Sequence, residues 1–189
     1  MSAIDILTRL SGVDVNSLGA LQRVLLVTDG TLTEILEAHF FDRIRLVKVS
    51  QRLTSANASH SLIDPHPGEA LIERKILLQG ERSHRNYAYA ESLIAVDRLD
   101  PSFRDGLLNS DTPLGRLWLE HKLETFKELQ QVRSQSADGL CEYFNCVAAT
   151  SLLVRTYRVF SAGKPVMVIT EYFPTAYSRS AADAAGVSP

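Results

Sequence analysis

Apolar and polar positions alternate most cleanly toward the C-terminal end of the chain. Val166 to Phe173 is the most strand-like run, rich in β-branched and aromatic residues, and Arg155 to Phe160 is a second. Ser161-Ala162-Gly163-Lys164 reads as the turn between them, with Pro165 where the next strand begins. Side chains alternate across a strand, so Met167, Ile169, Glu171 and Phe173 share one face. The same period over Leu71 to Leu78 groups Ile72, Arg74, Ile76 and Leu78 on one face and leaves Glu73 and Lys75 on the other. Tyr87 to Val96 reads as the returning strand of a hairpin, and Ile44 to Leu53 as a further strand.

The helical period of 3.6 appears elsewhere. Leu18, Leu21, Val24 and Leu25 fall on one helical face over Leu18 to Val27. Thr28-Asp29-Gly30 interrupts it. Thr31-Leu32-Thr33-Glu34 then has capping-box form, and Leu32, Ile35, Leu36, His39 and Phe40 follow at helical spacing. Glu34 and Glu37 make this second helix acidic, so the pair reads as a cover rather than a DNA reader. Pro101 to Leu108 is predicted as a short helix. Thr112 as N-cap with Pro113 at the first position predicts another. Gly139 to Asn145 reads as a short helix, and Leu123 to Val132 fits either helix or strand. Met1 to Asn16 has some helical periodicity, Thr54 to Gly68 reads as a loop, and sequence after Pro174 is a loose Ala-, Ser- and Gly-rich tail. The fold class is therefore α+β, a mainly antiparallel sheet with helical covers. The expected organisation is one domain over 1–175 and a tail over 176–189.

At 189 residues the chain can bury a substantial core. A formal net charge of −2 argues against a broad nucleic-acid footprint. No apolar run approaches membrane-spanning length, and no export signal is read, so cytoplasmic location and no membrane partner are expected. Cys141 and Cys146 are too few for a disulfide framework, and His39, His60, His66, His84 and His121 lack metal-ligand spacing. Nucleotide loops and nucleophile elbows are absent, so neither metal nor organic cofactor is expected.

The chemistry rests on two charges set among apolar neighbours. Glu171 by itself reads as a carboxylate near a strand end that reaches solvent. Arg74 cannot shed its proton, so on an apolar face it requires an anion. One account is a salt bridge from Arg74 to Glu171 or Glu91; the other is a bound carboxylate ligand. Such a pair would add little stability by itself.

Four stretches in order carry a family resemblance: Leu25-Leu26-Val27-Thr28-Asp29-Gly30-Thr31-Leu32-Thr33, Ala90-Glu91-Ser92-Leu93-Ile94-Ala95-Val96-Asp97-Arg98-Leu99, Thr112-Pro113-Leu114-Gly115-Arg116, and Gly163 to Pro174. Together they resemble the chorismate pyruvate-lyase family, in its actinobacterial, cyanobacterial and archaeal branch. The resemblance implies an antiparallel sheet with helix-turn-helix flaps enclosing the ligand. It implies cofactor-independent conversion of chorismate to 4-hydroxybenzoate and pyruvate. By the matching motifs it implies Arg74 as the carboxylate-binding arginine and Glu171 as the active-site glutamate. Leu114 and Gly115 fall in the matching turn, and Leu32 matches an apolar flap position. It also favours strand for Leu123 to Val132. Glu91 stands where the better-studied branch has a basic residue, which leaves the contact to the second carboxylate open. The alternatives are an effector-type ligand-binding domain of the same fold, which normally follows a DNA-binding half that this length does not accommodate, and a lyase giving another hydroxybenzoate isomer. Oligomeric state is not readable from these patterns.

Overall fold

The structure is a computed structural model and describes residues 13–110, 112–146 and 150–175. Six strands form one sheet: β1 (Ile44–Ser55), β2 (Ala70–Gly80), β3 (Asn86–Ala95), β4 (Phe126–Ser136), β5 (Ser151–Ser161) and β6 (Lys164–Pro174). Their order is β1-β2-β3-β6-β5-β4, and every neighbouring pair is antiparallel. The fold is α+β, as the patterning indicates. The periodicity over Met1 to Asn16 falls almost wholly, and the tail wholly, outside the described residues.

The sheet order follows from composition. The four inner strands are apolar on both faces, whereas β1 and β4 carry Lys, Arg and Gln and lie at the edges. Charged edge strands resist pairing with further chains. Each edge strand also has a register irregularity, between Lys48 and Ser50 in β1 and between Leu129 and Gln131 in β4. The β5–β6 connection is tighter than the predicted four-residue turn. Only Ala162 and Gly163 lie between the strands, with φ of 49° and 75°, as the primed hairpin turns require.

Helices α1 (Ala20–Val27) and α2 (Leu32–Phe40) cover one half of the front face, burying Leu25, Leu26 and Leu36 against Leu46, Leu78 and Phe173. Helices α3 (Pro101–Asn109) and α4 (Leu114–Glu120) cover the other half, burying Phe103, Leu107 and Leu117 against Val159 and Met167. The back face is covered by the 3-10 stretch Ala58–Ile63 and by α5 (Cys141–Phe144). Two helix starts differ from expectation. Pro113, not Thr112, is the N-cap of α4, because its extended backbone keeps it outside the helix while its carbonyl accepts from Arg116 and Leu117. Thr31 precedes α2, but its side chain makes no cap hydrogen bond.

The α1–α2 pair is tethered firmly at its C-terminal end. Asp42, directly after α2, accepts hydrogen bonds from the backbone N–H groups of Arg82 and Ser83, each 3.0 Å, at the β2–β3 turn. Gly80 permits this approach, since a Cβ there would lie 2.2 Å from Asp42 Oδ2. Glu37 accepts from the N–H of Ile44 at 2.9 Å and fixes the start of β1. Burial pushes the Asp42 carboxyl up, but hydrogen bonds from Ser83 and Arg82 outweigh it and hold the carboxyl below its usual 3.8. A depressed carboxyl stabilises the fold above its unfolded pKa, and that stabilisation is lost as pH falls through the folded value. Asp42→Ala should therefore lose about 1–3 kcal/mol in urea unfolding at pH 7, since it orphans two backbone donors. The gap to the wild type should narrow as the pH is taken below 3.8.

Candidate active site

Between the two helix pairs lies a cavity to whose floor all six strands contribute. The hollow arises from residue size. The middle of β3 presents Ala90 and Ser92, so the floor is low where the flanking strands carry Ile76 and Ile169. The space open to the centre of a water-sized sphere is ≈ 60 Å³, against about 10–15 Å³ for one water. The roof is Gly30 to Thr33 of the flap, and Pro113, Leu114, Gly115 and Trp118 of α4 and its cap. The two roof halves meet closely, since a Cβ on Gly115 would lie 2.6 Å from Thr31 Cγ2.

The structure brings all five residues singled out in the sequence to this cavity: Arg74, Glu171, Leu32, Leu114 and Gly115 line it. Arg74 is 2% exposed and Glu171 5%, so Glu171 does not reach solvent as a strand-end carboxylate would. The register places Arg74 opposite Ser92, and Glu171 opposite Ala90 on the other side of β3. Two strand spacings and one same-face step separate their Cα positions by roughly 12 Å, about the span of a substituted ring plus its contacts.

Glu171 is held by residues that the sequence reading did not select. Arg155 Nε donates to its Oε2 at 2.5 Å, and the Tyr157 hydroxyl donates to its Oε1 at 2.8 Å. Its ion-pair partner is thus Arg155 rather than Arg74. Glu91 lies on the back face, accepting from Tyr89 and paired with Lys75 at 3.3 Å, so it is not the partner of Arg74 either. Burial above all, then the charge of Glu171, raises Tyr157 well above its usual range and keeps it a phenol that donates. Burial opposes the charge on Arg155, but Glu171 outweighs it and the guanidinium is held protonated. A paired, hydrogen-bonded arrangement is what makes such burial tolerable.

A third cation completes the wall. Lys127 of β4 donates from Nζ to the carbonyls of Asp29 at 2.7 Å and Gly30 at 3.2 Å, and lies over the rings of Trp118 and Tyr157. Arg155 Nη1 donates to the carbonyl of Thr28 at 3.2 Å. The turn between α1 and α2 therefore rests on two cations from the floor. Desolvation lowers Lys127 below its usual 10.5, with Glu171 opposing that shift and Arg155 adding to it.

Arg155 was legible in principle, being a charge between Leu153 and Tyr157 on an apolar face, the same signal that marks Arg74. Lys127 was not, because the irregularity after Leu129 breaks the alternation of β4. Among the described residues, no group of His, Cys, Asp and Glu could hold a metal ion, and no helix is long and apolar enough to cross a membrane. Cys141 and Cys146 lie with the back-face cluster, away from the cavity.

A Mycobacterium tuberculosis protein named chorismate pyruvate-lyase is 32% identical over 179 residues, spanning 91% of this chain and 88% of that one. The Mycobacterium leprae protein of the same name is 29% identical over 165 residues, spanning 87% and 79%. Among solved structures, the effector domain of PhnF from Mycobacterium smegmatis superposes with a TM-score of 0.61 at 11% identity, covering 78% of this chain and 90% of that one. At that identity the likeness concerns the fold alone. The profile of the family described as "Chorismate pyruvate-lyase Rv2949c-like" matches residues 26–180. With that match over most of its length, and a relative 32% identical over 91% of it, this chain belongs to the Rv2949c-like chorismate pyruvate-lyase family.

Proposed function

We propose that the protein converts chorismate to 4-hydroxybenzoate and pyruvate. The observation that carries this reading is the enclosed cavity itself: a buried guanidinium at one side of a low floor and a carboxylate fixed by two donors at the other. The names of the relatives supply the reaction class.

The chemistry suits such a site. The carbon–oxygen bond to the enolpyruvyl group breaks, and the neighbouring hydroxyl-bearing carbon loses its hydrogen. A hydrogen is gained at the methyl group of pyruvate, so the change is redox-neutral. Aromatisation supplies the driving force. The protein has to hold one conformer and exclude water. In this reading Arg74 anchors the ring carboxylate through a charge-assisted contact. Leu32, Leu114 and Gly115 close over the ring. Glu171, its two oxygens each holding one donor, has acceptor capacity left for the ring hydroxyl. Arg155 and Tyr157 are positioning residues for that carboxylate.

The direct test is incubation with chorismate, following pyruvate release and naming the aromatic product by liquid chromatography. Tight chorismate binding with no pyruvate would favour the effector-type reading, and a different hydroxybenzoate would correct the product. Arg74→Ala should lose at least about 30-fold in kcat/KM while its melting and circular dichroism stay near wild type, as truncation of buried charge contacts does. Arg74→Lys should also be poor, because a point charge lacks the fork.

Glu171→Gln keeps an acceptor but removes the charge. It is expected to lower turnover by more than about 10-fold and to weaken 4-hydroxybenzoate binding less, the signature of a group acting mainly in the transition state. An unchanged turnover with weaker product binding would make Glu171 a ground-state contact only.

The tight roof predicts slow product release. Mixing enzyme with excess chorismate should give a burst of aromatic product and then a slower steady rate. Gly115→Ala places a methyl group against Thr31. It should part the roof halves, raise the Kd for 4-hydroxybenzoate and diminish the burst.

A further inference from the structure

The charged groups lining the cavity are Arg74, Lys127, Arg155 and Glu171, with Tyr157 held as a neutral phenol. Three positive charges and one negative leave a net of +2 in the protonated state of the bases. Arg155 is committed to Glu171 at 2.5 Å. With Arg74 assigned to the ring carboxylate in the reading above, Lys127 is the other cation of the lining that can meet a dianion. Resting on the chorismate reading above, the geometry points to Lys127 as the anchor of the substrate's second carboxylate, the one on the enolpyruvyl group. On substrate binding its ammonium exchanges the carbonyls of Asp29 and Gly30 for that carboxylate.

Three observations support the assignment. Lys127 stands at the far side of the floor from Arg74. Four strand steps from β2 to β4 amount to roughly 19 Å at about 4.8 Å each, and long side chains from both ends reach into one cavity. Trp118 and Tyr157 wall the ammonium in, so its direction is set. A second hollow, lined by Thr28, Asp29, Phe126, Lys127, Arg155 and Tyr157, shares Lys127, Arg155 and Tyr157 with the cavity. It leaves room beside Lys127 for the side chain and its carboxylate.

The exchange has a direction. The present acceptors of Lys127 are neutral carbonyls of an exposed turn. A carboxylate makes a stronger charge-assisted bond to a desolvated ammonium. The product ring carries one carboxylate, which Arg74 holds, and pyruvate carries the other away.

The test compares a dianion with a monoanion. KM for chorismate and Kd for 4-hydroxybenzoate are measured for wild type, Lys127→Met and Lys127→Arg. Lys127→Met should raise KM for chorismate about 30-fold or more, with Kd for 4-hydroxybenzoate within about threefold of wild type. Lys127→Arg, which keeps the charge, should stay within about 10-fold for chorismate. Equal losses for both ligands would make Lys127 a hinge latch only, and an unchanged KM would make it a bystander; either overturns the assignment. Absence of pyruvate from the wild type would sink the lyase reading. In that case the same comparison, read from direct chorismate titration, still decides Lys127.

Discussion

The ion pair between Arg155 and Glu171 is the contact on which the site depends. A carboxylate on an apolar sheet face is costly unless its charge is met and its oxygens are occupied. Neighbouring strands solve this locally. Arg155 and Glu171 are directly opposite in the β5–β6 ladder, and Tyr157 reaches the second oxygen from the next same-face position. The pair's stabilising contribution is small by nature. What it provides is a carboxylate that points one way inside a roofed cavity.

That same arginine links the floor to the roof. Its donation to Thr28, with the two donations of Lys127 to Asp29 and Gly30, ties the α1–α2 turn to charged groups inside the cavity. The other end of the helix pair is held differently, by Asp42 on backbone donors of the β2–β3 turn, remote from any ligand. One end is a fixed tether, and the other is hydrogen-bonded to charged groups of the cavity wall. A lid built this way can respond to a ligand without the sheet moving.

The antiparallel sheet with helical covers is shared with the effector domain of PhnF and with the "ligand-binding domain of a putative GntR-family transcriptional regulator from Bordetella bronchiseptica". A common fold leaves the function open, because function lies in the side chains that a cavity collects. Here those are three bases and one acid under an apolar roof. The match of the family profile over residues 26–180 separates this chain from a fold likeness at 11% identity.

Period-two alternation alone determined the central strands, and two charges inside it marked Arg74 and Glu171, because a face that must be buried makes a lone charge conspicuous. The resemblance of four short motifs carried the flap leucine and the α4 turn. The partner of Glu171 was decided only by tertiary structure: pairing depends on strand order, and β6 lies between β3 and β5 although β4 precedes both β5 and β6 in the chain. The absent cap at Thr31 was likewise decided in three dimensions, where Thr31 packs against Gly115, 84 positions further on (115 − 31). Lys127 was hidden for a third reason. One irregularity in an edge strand shifts the inward face by a residue, and linear alternation cannot register that shift.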